Sequence, residues 1–176
     1  SILRSPVFWR FGPAVAMLSV LNFAYLGLWA GPWLRDVAGY DGQARANTLL
    51  LYTLSAMAGA VVLGAATSRA KVRGYPAVLV PILCSAGLIT AQVGLALQPR
   101  GVAAVTVLWV AFAFFAAGAS SSYVAVGQIF PPEQMGRVST AINTLTLVGA
   151  FVLQAAIGWI LDLWPRAAGG GWDPWG

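Results

Sequence analysis

Bond-making chemistry needs nucleophiles, bases or metal ligands, and this chain has few of them. Its 176 residues include no His, one Cys (Cys84) and five Asp+Glu. A metal site, or a nucleophile paired with a base, has almost nothing to be built from. Neither enzymatic activity nor a metal or cofactor is expected. What could act on a solute is a set of uncharged polar and aromatic residues inside apolar stretches. Asn22, Tyr25 and Trp29 form one group, with Ser19 close by, and Ser121, Tyr123 and Gln128 a second, beside Ser120 and Ser122. The third, Ser139, Asn143, Thr146, Ala150, Gln154 and Gly158, steps by three or four residues. Amides and hydroxyls exchange hydrogen bonds and rings stack, so the chemistry of these groups is binding.

The elements that carry them are apolar. Hydrophobic residues make up 59% of the chain and charged ones 9%, against roughly 25% charged in a soluble domain. A chain this size cannot bury so much apolar surface in water, so lipid is its expected solvent. Five uncharged stretches, 11–33, 46–68, 74–99, 101–132 and 138–161, are long enough to cross about 30 Å of hydrocarbon as helices. The fourth exceeds that need and must tilt or extend past the bilayer. No period-two alternation suggests a barrel, and backbone in lipid must satisfy itself, which leaves helices. Arg4 and Arg10 precede the first stretch as in a signal peptide, but that stretch is too long and lacks a small-x-small cleavage site. The connections at 34–45, 69–73, Arg100 and 133–137 are short, so consecutive helices are expected to be antiparallel neighbours.

The ten Lys+Arg lie in the gaps between apolar runs, which suits membrane topology better than nucleic-acid binding. With the amino end in the cytoplasm, Arg4, Arg10, Arg69, Lys71, Arg73 and Arg137 fall inside and Arg35, Arg45, Arg100 and Arg166 outside, a modest bias, while Asp36, Asp41, Asp162 and Asp173 fall outside. Trp29, Trp33, Trp159 and Trp164 then lie near the outer interface, and Phe8, Trp9, Tyr75 and Phe130 near the inner one. Ala-, Arg- and Gly-rich, Lys-poor usage suggests a bacterial source of high GC content, hence the inner membrane. The start at Ser1 and the Gly- and Trp-rich end predict a piece of a longer protein.

Small residues at four-residue spacing, Ala60, Gly64 and Ser68 in the second stretch and Gly118 and Ser122 in the fourth, predict close helix contacts. In the fifth, the polar stripe lies opposite Leu147, Val148, Phe151, Val152 and Ile160, so it faces protein or a water-filled cavity. It could serve a solute, or only bond helices together as in a membrane scaffold or assembly protein. No carboxylate lies within any stretch, so a proton-coupling group would have to sit elsewhere.

The run Gly64-Ala65-Ala66-Thr67-Ser68-Arg69-Ala70-Lys71-Val72-Arg73-Gly74 resembles the major facilitator superfamily signature G-x-x-x-D-[RK]-x-G-[RK]-[RK]. Gly64, Arg69 and Arg73 match. Ser68 replaces the acid, Lys71 the inner glycine and Val72 a basic residue, and without the acid an ion-pair latch lacks its carboxylate. Phe130-Pro131-Pro132-Glu133-Gln134-Met135-Gly136-Arg137, followed by Asn143 and Gly158, is similar to the family's join between its tenth and eleventh helices. Gly27 to Asp36 resembles the outer end of the seventh helix in some bacterial members. The resemblance implies an all-α integral membrane protein holding helices seven to eleven of twelve, a six-helix half-bundle truncated before its last helix, with 162–176 as an outer loop. It implies a secondary transporter whose missing amino-terminal half completes a midplane cavity for a small solute, with access alternating by rocking of the halves. The polar faces of the first, fourth and fifth stretches would line that cavity, and the third would mainly support it. Gly64, Arg69, Arg73, Glu133, Gly136 and Arg137 would form the cytoplasmic gate and loops, with Glu133 near a helix N-terminus and four residues before Arg137.

Overall fold

A computed structural model describes residues 2–76, 79–119, 129–163 and 165, and the chain is all-helical, with no strand among these residues. Four helical spans, Pro6–Asp36, Gly42–Val72, Leu79–Ala96 and Pro132–Asp162, are long and apolar enough to cross a membrane, and Val102–Ala116 is a shorter apolar helix.

The first span is not one regular helix. After α1 (Pro6–Ala24), a π-helical turn covers Tyr25–Trp29, and α2 follows over Ala30–Asp36. In the widened turn the Ala30 N–H bonds the Tyr25 carbonyl, five residues back. Pro32 explains the location: it has no N–H, and its ring crowds the carbonyl four residues earlier, at Leu28. Inserting an extra residue into the turn relieves that conflict.

Helix α3 (Gly42–Val72) extends past the predicted 46–68 at both ends. The Asp41 side chain caps its start, accepting from the Ala44 N–H at 2.7 Å. Arg69 and Lys71 occupy its last turn instead of a loop, where cations suit the negative end of the helix dipole. Gly74, at φ +78°, then turns the chain. Helix α4 (Leu79–Ala96) and α5 (Val102–Ala116) follow. Helix α5 ends in a turn where the Ala117 N–H bonds Ala113 and the Gly118 N–H bonds Phe115. Within the predicted fourth stretch, 101–132, the helix is therefore interrupted at Ala117–Gly118, and 120–128 lie outside the described residues. A 3-10 turn at Pro132–Gln134 leads into α6 (Met135–Asp162).

Short connections do not make consecutive spans the main neighbours. Among the described residues the most extensive contacts pair α1 with α6 and α3 with α5, and of the consecutive pairs α4 with α5 packs most extensively. Close-packing surfaces decide this. Phe8, Ala16 and Val20 of α1 pack with Val138 and Ile142 of α6 and with Phe130, and Gly149 leaves room for Val20, whose Cγ2 would lie 2.8 Å from an added Cβ. Between α3 and α5 the fit is tighter, since a Cβ on Gly59 would lie 2.6 Å from the Phe114 carbonyl oxygen. The predicted stripe Ala60, Gly64 and Ser68 lies beside this seam: Ala60 and Ser68 are exposed, and among the described residues no atom comes within 4 Å of a Cβ on Gly64. Gly118 does pack closely, against Cys84 of α4, while Ser122 lies outside the described residues. Phe8 and Phe130 are buried in the protein. The predicted lipid face of α6, Leu147, Val148, Phe151, Val152 and Ile160, is exposed.

Candidate functional site

The widened turn of the first span meets α3, α5 and α6 in one aromatic and polar seam. On its α3 side, the Tyr52 hydroxyl donates to Asn22 Oδ1 at 2.7 Å. Tyr25 sets its ring edge-on to Phe112 (centroids 5.3 Å apart) and Trp109 (5.9 Å), and Trp33 meets Trp109 at 5.7 Å. These are favourable quadrupole geometries. On the α6 side, Trp29 Nε1 donates to the Gln154 carbonyl at 3.3 Å, and Gln154 Nε2 donates back to the Phe23 carbonyl at 3.2 Å. Gly27 permits this approach, since a Cβ there would stand 3.1 Å from Gln154 Nε2.

Two cavities flank the turn. One of about 170 Å³ lies between the first span, α4 and α5, lined by Tyr25, Trp33, Gln92, Trp109 and Phe112 among others. The other, about 240 Å³, lies toward α6, with Tyr25, Trp29, Pro32, Trp33, Asp36 and Ile157 in its wall. Two buried polar atoms near the seams have no hydrogen-bond partner, Trp109 Nε1 and Thr146 Oγ1. An unmade bond of this kind costs about 1–3 kcal/mol.

Of the sequence candidates, Asn22, Tyr25, Trp29 and Gln154 come together at the turn. Thr146 is buried on the α6 face that packs against α1, in line with Val138, Ile142 and Ala150. Asn143 is exposed, on the flank of that face. Ser121, Tyr123 and Gln128 lie outside the described residues. At the loops, Arg69, Arg73, Glu133, Gly136 and Arg137 are exposed and Gly64 is half-buried. Glu133 sits in the 3-10 turn ahead of α6, and among the described residues it forms no ion pair with Arg137. The expected one-turn pairing fails because the turn before Met135 is not α-helical. Gly136 and Arg137 instead line an open groove of about 620 Å³ with Ile2, Leu3, Thr140 and Thr144.

Trp29 and Trp33, expected at the outer membrane interface, are half-buried against protein. The third span, expected mainly to support, contributes Gln92, Leu95 and Ala96 to the smaller cavity. Sequence reasoning passed over Tyr52, Gln92, Trp109 and Phe112. A signal existed for two of them: Tyr52 and Trp109 are the lone Tyr and lone Trp of the second and fourth stretches, and buried rings of this type ordinarily need a polar partner. No protein-family model matches this chain, and neither a curated protein nor a solved structure does.

Proposed function

We propose that this chain is part of the second half of a secondary transporter of the major facilitator type, moving a small uncharged solute by alternating access. The observation that supports it is the pairing of spans. Major facilitator halves contain two three-helix units in inverted repeat. Exchanging the first three spans with the next three turns the contact of the first with the fifth into that of the fourth with the second. These two contacts, α1 with α6 and α3 with α5, are the most extensive among the described residues. The smaller contact of α1 with α5, first with fourth, maps onto itself. A scaffold has no need of such symmetry.

On this proposal the polar and aromatic groups around Tyr25 face a solute path completed by an amino-terminal half. The basic end of α3 and the groove at Arg137 form the cytoplasmic rim of a bacterial inner-membrane protein. The competing function, a membrane scaffold, is favoured by one observation: Asn22 and Gln154 both spend hydrogen bonds on neighbouring helices. Reconstitution of the full-length protein in proteoliposomes separates the two. A transporter shows saturable flux of a solute that also raises the unfolding temperature, because binding stabilises the folded state. A broad panel of neutral solutes giving neither flux nor stabilisation would remove transport in favour of scaffolding.

A further inference from the structure

We infer that the open groove between the 3-10 turn at Ile2–Arg4 and the start of α6 seats one acyl chain of an anionic phospholipid, with the Arg137 guanidinium on its phosphate. The inference goes beyond the proposed transport function and does not rest on it; it needs only that α6 lie in a bilayer.

The groove runs along one face of α6. Gly136, Arg137, Thr140, Ala141, Thr144 and Leu145 supply that face, and Ile2 and Leu3 complete the lining. From Arg137 to Leu145 the helix rises about 12 Å, which fits inside one leaflet of a hydrocarbon core about 30 Å thick. The two threonines suggest a polar floor, but both hydroxyls donate to their own helix. Thr140 bonds the Gly136 carbonyl at 2.9 Å, and Thr144 bonds the Thr140 carbonyl at 3.0 Å. Hydroxyls spent in this way leave weakly polar surface, on which a methylene chain can lie beside Ala141 and Leu145.

Charge is confined to one end. Arg137 lines the groove, is exposed, and forms no ion pair among the described residues. Gly136 beside it bears no side chain, and among the described residues nothing comes within 4 Å of a Cβ there, so a phosphate can approach. Arg4 and Arg10 are exposed at the same end of the molecule, since Phe8 of α1 packs with Val138 of α6. Glu133, the acid nearest in the chain, sits in the turn ahead of α6 and outside the lining. Trp9 marks the level: its Nε1 donates to the Leu3 carbonyl at 2.8 Å and half of the residue is exposed, as suits the headgroup zone. An apolar trough with a cation at one end complements an anionic head on an apolar tail. A zwitterionic head offers the same phosphate, but its ammonium would meet Arg4 and Arg10 as well as Arg137.

The test uses full-length protein in nanodiscs of equal phosphatidylglycerol and phosphatidylcholine, with one or the other lipid carrying a photoreactive group on its acyl chain. Cross-links are mapped by peptide mass spectrometry. Phosphatidylglycerol should label 140–145 of α6 about fivefold more than phosphatidylcholine, the preference that one Arg gives at an anionic surface. Arg137→Gln should bring that ratio close to one. Lys71→Gln, at the end of α3 and outside the groove, should leave it unchanged. Thr144→Trp fills the trough from an exposed position, so the fold is spared, and should abolish labelling by both lipids. Equal labelling in the parent, or unchanged labelling in Thr144→Trp, would overturn the inference. So would an equal loss of preference in Arg137→Gln and Lys71→Gln, the mark of a merely basic surface. Absence of label on α6 would overturn it by showing the groove covered by another part of the chain or a second copy. Displacement of the label by excess glycerol phosphate would overturn the lipid and reassign Arg137 to a soluble phosphate ester. None of these readouts uses solute flux, so the transport proposal stands or falls separately.

Discussion

The pairing of α3 with α5 can be tested at one atom. Gly59→Ala would place a methyl group 2.6 Å from the Phe114 carbonyl oxygen and 3.1 Å from Phe114 Cα and Ala117 Cβ. The nearest obstacle is backbone, which cannot swing aside as a side chain would. Ordinary contact begins near 3.4 Å, so the helices must part by about 0.8 Å, an overpacking that costs about 1–3 kcal/mol. Separation would also stretch bonds along the seam, from the Ser55 hydroxyl to the Val110 carbonyl at 2.8 Å and between the Thr48 and Thr106 hydroxyls at 3.1 Å. Alanine's better helix propensity returns about 0.5–1 kcal/mol. Gly64→Ala is the internal control, because it keeps that gain and meets no atom of the described residues within 4 Å. The two variants should therefore differ by about 1–3 kcal/mol in reversible unfolding in mixed micelles, Gly59→Ala being the less stable. Equal stabilities, or a larger loss at Gly64, would refute the seam and return the contact to the Ala60, Gly64 and Ser68 stripe.

Three further outcomes follow from the same geometry. A double-mutant cycle of Asn22→Leu with Tyr52→Phe should show a coupling of about 1 kcal/mol in unfolding stability; a coupling indistinguishable from zero would mean that the 2.7 Å bond does not form in the membrane. Thr146→Val keeps the side-chain shape and removes an unpartnered hydroxyl, so the variant should be as stable as the parent or more so by about 1 kcal/mol. A clear loss of stability would reveal a partner for that hydroxyl, and reduced flux at unchanged stability would mark it as a solute contact. Neutralising Arg69 and Arg73 together (Arg69→Gln, Arg73→Gln) should alter the transport rate or the membrane orientation measured by cysteine accessibility; unchanged values of both would count against a role at the cytoplasmic rim.

Much of the architecture was legible because long uncharged apolar stretches leave the backbone few options. Four of the described spans are helices long and apolar enough to cross a membrane, as expected of a backbone that in hydrocarbon would have to bond to itself. The division of α6 into an exposed apolar side, with Leu147 and Phe151, and a packed side, with Thr146 and Ala150, follows from 3.6-residue periodicity. Asn22, Tyr25, Trp29 and Gln154 stood out because amides and polar rings are costly inside apolar runs, and they meet at the site for the same reason.

Pairing of the spans was decided only in three dimensions. Connections of a few residues permit neighbours but do not choose them, and the choice fell to backbone approach at single glycines. Gly59 and Gly64 look alike in sequence; only the position of Phe114 separates them. The widened turn at Tyr25–Trp29 was equally hidden, because Pro32 can be met by a kink, a break or an inserted residue. Trp109 came to stand between Tyr25, Trp33 and Tyr52, rings from two other spans. Its unpartnered N–H is a property of that assembly: the sequence determines that an indole donor lies in the fourth span, but whether an acceptor lies within its reach depends on every helix around it.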